Sequence, residues 1–310
     1  MDIRDLAYFE TIAEAGHLGR AAERLGRTQP ALTKCIRRLE GSIGADLFSR
    51  SGRGLRLTPV GEALLGRAKR LRSAMDEAVR EVTGFAGGVA GHVRVGAGAT
   101  MAEHLLPRVC GALTADAPEV TVEVLIAMND VLRDALRAGE VDVVVGPVLA
   151  GEERAFAVEV FGADEVVVVA PRGHPLCGRA VTVEDLARYK WVLPAASVAM
   201  RRWLDRVFEA NGLLGPRVQI ETNSILLLPR LISETALLSF TSTRNLGRGR
   251  VGAHLERLDI EATTMRRHLG LIHRKDGYLS PAATKLVRLV AQMGGELLEP
   301  PGLEPPGPDR

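Results

Sequence analysis

The sequence predicts an α/β protein in three parts: a small helical unit closed by a basic hairpin, one long helix, and two lobes of alternating strands and helices. Three observations carry that expectation. Apolar residues recur at helical spacing from Leu6 to Leu39, a strict four-three repeat runs from Leu64 to Phe85, and β-rich runs alternate with helical segments from His92 onward. A chain of 310 residues also exceeds what one core normally holds.

Within the first part, Leu6, Phe9, Ile12 and Ala13 place one apolar face on a helix, and Leu18, Ala21, Ala22 and Leu25 place another at i, i+3, i+4 and i+7. Gly26 ends the second helix. Thr28 is suited to cap the next one, and Pro30 sits in a first turn where a missing N–H costs nothing. Leu32, Ile36 and Leu39 then form a buried stripe. On the opposite side lie Gln29, Thr33, Lys34 and Arg37, an amide, a hydroxyl and two cations of the kind that meet base edges and phosphates in a major groove. The pattern is a helix-turn-helix. Downstream, LFSRSGRGLRLT at 47–58 reads as two short extended runs around Gly52 and Gly54, with Arg50, Arg53 and Arg56 between them. Charge agrees: residues 1–90 carry 15 Lys and Arg against 11 Asp and Glu, and the remaining residues carry 25 against 27, so the basic excess is confined to this end.

Thr58 and Pro59 cap the long helix. Along it Leu64, Ala68, Leu71, Met75, Ala78, Val82 and Phe85 form a heptad seam with charged residues between, a pattern suited to pairing two copies of the chain. A symmetric dimer would present two recognition helices to two half-sites. Glycines at 84, 87, 88 and 91 mark its end.

From His92 the runs HVRVGA, VTVEVLIA and VDVVVGP alternate with a helix at about 102–113 and LRDALRAG, and a second set begins with EVVVVA at 165–170. It continues through strands at 191–193, 218–222 and 237–240 and a helix at 200–210, implying two lobes with mostly parallel sheets. Ligands of such sheets sit outside the carboxyl ends of the strands. That rule selects Gly98, Ala99, Thr100 and Met101, then Met128 and Asn129, then Gly146 and Pro147. From the other lobe it selects Ala195, Ser197 and Met200, then Asn223 and Ser224, then Phe240 and Thr241.

Residues 1–65 resemble the winged helix-turn-helix of LysR-type transcriptional regulators. AAERLGRTQPALTKCIRRLE follows the family's AAxxLxxSQPAxSxxIxxLE, and Ile43, Gly44, Leu47, Phe48, Arg50, Leu57, Thr58 and Gly61 follow IGxxLFxRxxRxxxLTxxG. The resemblance implies a DNA-contacting set of Thr28, Gln29, Pro30, Thr33, Lys34 and Arg37, with Arg50 and Arg53 on phosphates. Cys35 departs from the longer polar residue common there. The resemblance also implies a periplasmic-binding-protein-like effector domain at 89–298, with lobe I at about 89–161 and 267–298 and lobe II at about 162–266, behind a DNA-binding domain at 1–58 and a linker at 59–88. Residues 299–310 read as a disordered tail. The stretch ETNSILLLPRLISETALLSF resembles the branch containing the galactose-binding-protein and aromatic-sulfonate regulators, which points to an aromatic or sugar-derived acid as effector. Partners implied are double-stranded promoter DNA, a second copy forming a homodimer paired again into a homotetramer, and RNA polymerase.

Several classes find no support in the residues. No G-x-x-x-x-G-K-[ST], H-E-x-x-H or G-x-S-x-G is present, so the expectation is a non-enzyme with no cofactor and no metal. Cys35, Cys110 and Cys177 are far apart, fitting neither zinc nor a disulfide framework. With no leader-like start and no apolar run of membrane length, the expectation is a cytoplasmic protein without membrane contact. The competing reading is a cytoplasmic small-molecule-binding protein without DNA regulation.

Overall fold

The computed structural model describes every residue except 1, 52, 53, 88–90, 225, 226, 247–249, 251 and 298–310, and leaves out the side chains at 50, 51, 73, 74, 76, 77 and 80–87. The chain divides into one unit of residues 1–86 with 137–140 and a second of residues 87–136 and 141–310.

In the first unit α1 (Ile3–Ala15), α2 (Leu18–Leu25) and α3 (Gln29–Ile43) precede the hairpin β1 (Phe48–Ser51) and β2 (Gly54–Leu57), and α4 (Pro59–Gly87) follows. Asp2 caps α1 and His17 caps α2, each accepting a backbone N–H two residues on, at 3.1 and 3.0 Å. Gly26 stands in the left-handed region at φ 58°, donating its N–H back to α2, as a turn between two helices requires. Thr28 departs from expectation: it occupies the N-cap position but makes no side-chain cap bond. Two linked apolar clusters hold the helices together, one around Phe9, Leu39 and Leu47, the other around Ile12, Ala21, Leu32 and Ile36. Antiparallel pairing of Phe48 with Leu57 through Ser51 with Gly54 makes the hairpin. Thr58 caps α4 as expected, its Oγ1 accepting from the Gly61 N–H at 3.0 Å.

The long helix corrects the seam. Ala68 is buried in the unit's own core and Leu64 packs against it, because the first turns of α4 lie over the helical bundle. Leu71, Met75 and Ala78 remain exposed, together with Val79. The side chains of Val82 and Phe85 lie outside the described residues.

The second unit begins with β3 (Gly91–Ala97), α5 (Ala99–His104), α6 (Leu106–Asp116), β4 (Val120–Ile126), α7 (Asn129–Ala138) and β5 (Val143–Pro147). One helix was expected where α5 and α6 stand. Pro107 divides them, since its ring has no N–H to give and would collide with the carbonyl of Glu103. The order continues through β6 (Phe156–Pro171), α8 (Val183–Ala187), β7 (Lys190–Leu193), α9 (Ala199–Ala210), β8 (Arg217–Glu221), α10 (Leu227–Ser233), β9 (Ser239–Ser242), β10 (Leu255–Arg257), β11 (Met265–Arg274) and α11 (Pro281–Leu297).

The sheets are mixed rather than mostly parallel. Strands β4, β3 and β5 run parallel, as do β7 and β8, but β11 is antiparallel to both β5 and β6, and β9 and β10 are antiparallel to β6. The cause is the crossing between lobes: β6 carries the chain out of lobe I, β11 brings it back, and strands running out and back alongside one another must be antiparallel. Their register slips between Leu269 and Gly270, which face Gly162 and Val160, leaving Phe161 outside the ladder. A Cβ at Gly270 would lie 2.6 Å from Val148 Cγ2 and 2.7 Å from the Glu159 carbonyl, so only glycine fits this bulge. Lobe I buries Val93, Val143, Val145 and Leu286 among others, and lobe II buries Trp191, Leu204, Phe208 and Leu238. His174, of the turn motif RGHPL, packs in lobe II with its ring 4.6 Å from that of Tyr189.

Candidate functional site

Two surfaces collect the side chains singled out by the sequence. The first belongs to α3. Gln29, Pro30, Thr33, Lys34 and Arg37 line one open concavity on the outer face of that helix, and Thr28 is exposed at its start. Helical period explains the grouping: positions 29, 30, 33, 34 and 37 share a face, opposite the buried Leu32, Cys35, Ile36 and Leu39. Thr33 donates its hydroxyl to the Gln29 carbonyl at 3.0 Å, which leaves its lone pairs outward. Lys34 and Arg37 make no ion pair among the described residues. Their neighbour Arg38 does: its guanidinium is bound bidentately to Asp5. Two adjacent arginines therefore differ in availability, one fixed and one free. Arg50's side chain and all of Arg53 lie outside the described residues, so the wing contributes only exposed Arg56 to this description.

Cys35 points inward. Its thiol donates toward the Asp5 carboxylate at 3.5 Å, and burial beside that carboxylate pushes its pKa up to about 12, so it stays protonated.

The second surface is a cavity of about 770 Å³ between the two lobes. From lobe I it is lined by Gly98, Ala99, Thr100 and Met101 at the start of α5, by Met128 and Asn129 at the start of α7, and by Pro147. Lobe II contributes Met200, Asn223, Ser224, Phe240 and Thr241. Three expected residues, Gly146, Ser197 and Ala195, are not among the lining. Gly146 is buried behind it, with the Gly98 amide nitrogen and Asn129 Oδ1 within 4.0 Å of where its Cβ would stand. Ser197 is exposed in the turn before α9. Ala195 serves the site indirectly, its N–H donating to Asn223 Oδ1 at 3.0 Å and so tying two loops of lobe II together.

Residues not anticipated from sequence add charge to the walls: Glu103, Asp130, Arg133, Arg202 and Arg267. Arg133 is held by Glu152, at 2.5 Å from Nε and 2.9 Å from Nη2, and donates to the Pro147 carbonyl. Arg267 is held by the buried Asp164. His104, at the end of α5, bridges the lobes beside the cavity: Nε2 lies 3.0 Å from Asn245 Oδ1, and Nδ1 accepts from Arg250 at 2.9 Å. Asn245 in turn donates to Thr241 Oγ1. Arg202 was findable as a cation in the first turn of a helix already selected. Arg267 was not, because its place depends on the register of two strands about a hundred residues apart. Among the described residues no group of three or more acids, histidines or cysteines could hold a metal, and no helix is long and apolar enough to cross a membrane.

A helix-turn-helix with a free polar recognition face, together with a two-lobed α/β unit enclosing a ligand-sized cleft, defines a ligand-responsive DNA-binding regulator. Comparison with known proteins gives the family. Residues 3–62 match the bacterial regulatory helix-turn-helix protein, lysR family, and residues 86–294 match the LysR substrate binding domain. The chain belongs to the LysR family of transcriptional regulators. It is 30% identical over 294 residues to the HTH-type transcriptional regulator GalR of Pseudomonas putida, spanning 94% of this chain and 73% of that protein. To the regulator PcaQ of Agrobacterium fabrum it is 30% identical over 298 residues, 96% of each. Its fold is similar to full-length CbnR crystallised with its target DNA, with a TM-score of 0.65 and 21% identity, covering 94% of this chain and 99% of that one.

Proposed function

We propose that this regulator reads promoter DNA through Thr28, Gln29, Pro30, Thr33, Lys34 and Arg37, with Arg50 and Arg53 on phosphates, and that a small organic acid, aromatic or sugar-derived, occupies the cleft between its lobes. Two chains pair along the exposed part of the α4 seam, and two dimers form a tetramer on a partly palindromic site. The effector acts by binding one arrangement of the lobes better than another, which changes the spacing of the recognition helices and the contact with RNA polymerase. The protein works in the cytoplasm and carries out no catalysis of its own. The observation that carries this reading is the cleft itself: a cavity of about 770 Å³ at the carboxyl ends of strands in both lobes, within the size range of small-molecule sites. CbnR, similar in fold, is seen on its target DNA.

The test is a mobility-shift titration on the DNA upstream of the protein's own gene and on a random duplex. Gln29→Ala and Arg37→Ala weaken binding to the upstream site about tenfold or more while leaving the random duplex nearly unaffected, if these side chains read bases. Equal losses on both would reassign them to the backbone, and no retention of either duplex at low salt would remove the DNA-reading proposal.

A further inference from the structure

The floor of the cleft carries an unbalanced positive charge. Asp164 on β6 is opposite Arg267 on β11 in the crossing ladder, and its carboxylate accepts from Arg267 Nε at 3.0 Å, Arg267 Nη2 at 2.6 Å and the Ser242 hydroxyl at 2.6 Å. A second guanidinium, Arg244, lies with Nε 3.8 Å from the same carboxylate and, among the described residues, otherwise donates only to main-chain carbonyls, those of Ala163 and Leu297. One acid thus faces two arginines. Asp164 is fully buried, so water does little to screen the surplus. Of the side chains facing Asp164, Arg267 and Ser242 line the cavity, and among the described residues Arg267 Nη1 has no hydrogen-bond partner.

The other charges of the lining do not cancel this surplus. Arg133 is neutralised by Glu152. Glu103, Asp130 and Arg202 are all exposed, so the mouth carries two acids against one cation. The electrostatic gradient therefore favours one negative group at the floor and disfavours a second near the mouth. Between floor and mouth the walls are mostly apolar, with Thr100, Asn129, Asn223, Ser224, Thr241 and Asn245 set among them. Val166 and Leu269 lie two residues along from Asp164 and Arg267, on the same face of their strands, and Met101, Met200, Phe240 and Ile232 continue the surface.

We propose that the effector is a hydrocarbon monocarboxylate whose carboxylate binds the free edge of Arg267 and whose body lies against the methionines and Phe240. This rests on the cleft being the effector site, and it selects against both sugar acids and dicarboxylates. A polyhydroxylated acid would bury hydroxyls against this mostly apolar surface, where Asn223, Asn245 and Ser242 already bond to the Ala195 N–H, Thr241 and Asp164. A dicarboxylate would place its second charge toward Glu103 and Asp130.

Calorimetric titration of the full-length chain with four probes tests this: 2-naphthoate, its neutral amide 2-naphthamide, 2,6-naphthalenedicarboxylate and gluconate. Naphthoate binds about tenfold or more tightly than each of the other three. The preference over the amide falls to about twofold in Arg267→Gln, is partly kept in Arg267→Lys, and is unchanged in Arg202→Ala. Equal binding of naphthoate and naphthamide to the unaltered chain, tighter binding of gluconate or the diacid, or no binding of naphthoate overturns the proposal without any variant having to fold. Loss of the preference in Arg202→Ala but not in Arg267→Gln would move the anion to the mouth and overturn it as well. Met200→Trp, which fills the cleft, separates this proposal from its premise. Naphthoate binding that survives Met200→Trp places the ligand elsewhere, so the cleft reading fails, whereas binding lost in Met200→Trp but indifferent to Arg267→Gln keeps the cleft and rejects the anion seat.

Discussion

Asp5 of α1 and Arg38 of α3 form a bidentate ion pair in which the carboxylate is almost fully buried and the guanidinium is 54% exposed. The same carboxylate accepts from the Cys35 thiol, so three residues join the first helix to the recognition helix and fix its roll. Arg38 is thereby engaged within the unit, whereas Arg37, one position earlier, makes no ion pair among the described residues.

Removing Asp5 should loosen that joint. The Arg38 guanidinium holds the Asp5 carboxyl below the ordinary carboxylate range, against a smaller opposing effect of burial. An acid whose folded pKa lies below its unfolded one adds stability that is present above the unfolded value, near pH 4, and is lost as pH falls through the lowered folded value. Asp5→Asn should therefore flatten the acid limb of a stability-versus-pH curve for the N-terminal unit. At pH 7, Asp5→Ala should cost about 1–2 kcal/mol, modest because the abandoned Arg38 can return to water. Chemical denaturation at pH 7 and pH 3.5 measures both, and identical pH slopes for Asp5→Asn and the parent would refute the assignment.

Glu10, on the same helix, behaves oppositely. Its side chain is 3% exposed, and burial pushes its pKa up, only partly offset by the half-exposed Arg72 of α4 paired with it. The folded protein then holds this proton more tightly than the unfolded chain, so the contribution of Glu10 favours folding at low pH and falls as pH rises through the raised value. Glu10→Gln relieves that penalty. It should leave thermal stability at pH 7 unchanged or raise it by a few degrees, as replacement of buried ion pairs often does. A drop of more than about 4 °C in scanning calorimetry would mean that the pair with Arg72 outweighs the cost of burial.

Much of the architecture can be read directly from residue order, and the exceptions share a cause. The periodicity of Leu18, Ala21, Ala22 and Leu25 and the turn at Gly26 define α2 and the outward face of α3 because helices and turns are set by neighbours in the chain. The mouths of the strands, from Gly98 to Met101 and at Asn223 and Ser224, were legible because βα connections place them by rule. Leu64 and Ala68 satisfy a heptad seam and a bundle cover equally well, and only the folded unit shows that they cover the bundle. Asp164 and Arg267 carry no local signal of partnership. Their meeting follows from the antiparallel return of β11 on β6, a register that depends on both lobes.

The exposed part of the seam offers a direct test of pairing. Leu71 and Met75 of the seam are 43% and 42% exposed, Ala78 is exposed too, and Val79 beside the seam is 62% exposed, an apolar surface on a helix whose earlier turns are already covered. A carboxylate placed there would be desolvated in a dimer and solvated in a single chain. Met75→Glu should shift sedimentation toward the single chain and weaken DNA binding by about tenfold or more, since the two half-sites would no longer be held together. Unaltered assembly in Met75→Glu would show that the chains associate through another surface.

The bulge between the lobes gives the last prediction. Gly270 lies where β11 passes between Val148 and the main chain of β6, and a methyl group there would meet the Glu159 carbonyl at 2.7 Å. Val148 can rotate, but the carbonyl belongs to the strand that joins the lobes and cannot withdraw without breaking the ladder on one side of Phe161. Gly270→Ala should therefore cost about 1–3 kcal/mol, in the range of overpacking. The loss should fall on the effector-binding unit and leave unfolding of the N-terminal unit unchanged. Amide hydrogen exchange separates the two: faster exchange in β6 and β11 with protection in α1–α3 retained is the expected pattern. A Gly270→Ala protein with parental exchange throughout would show that the crossing strands can separate without loss, and the bulge would then be a point of freedom rather than a fixed pivot.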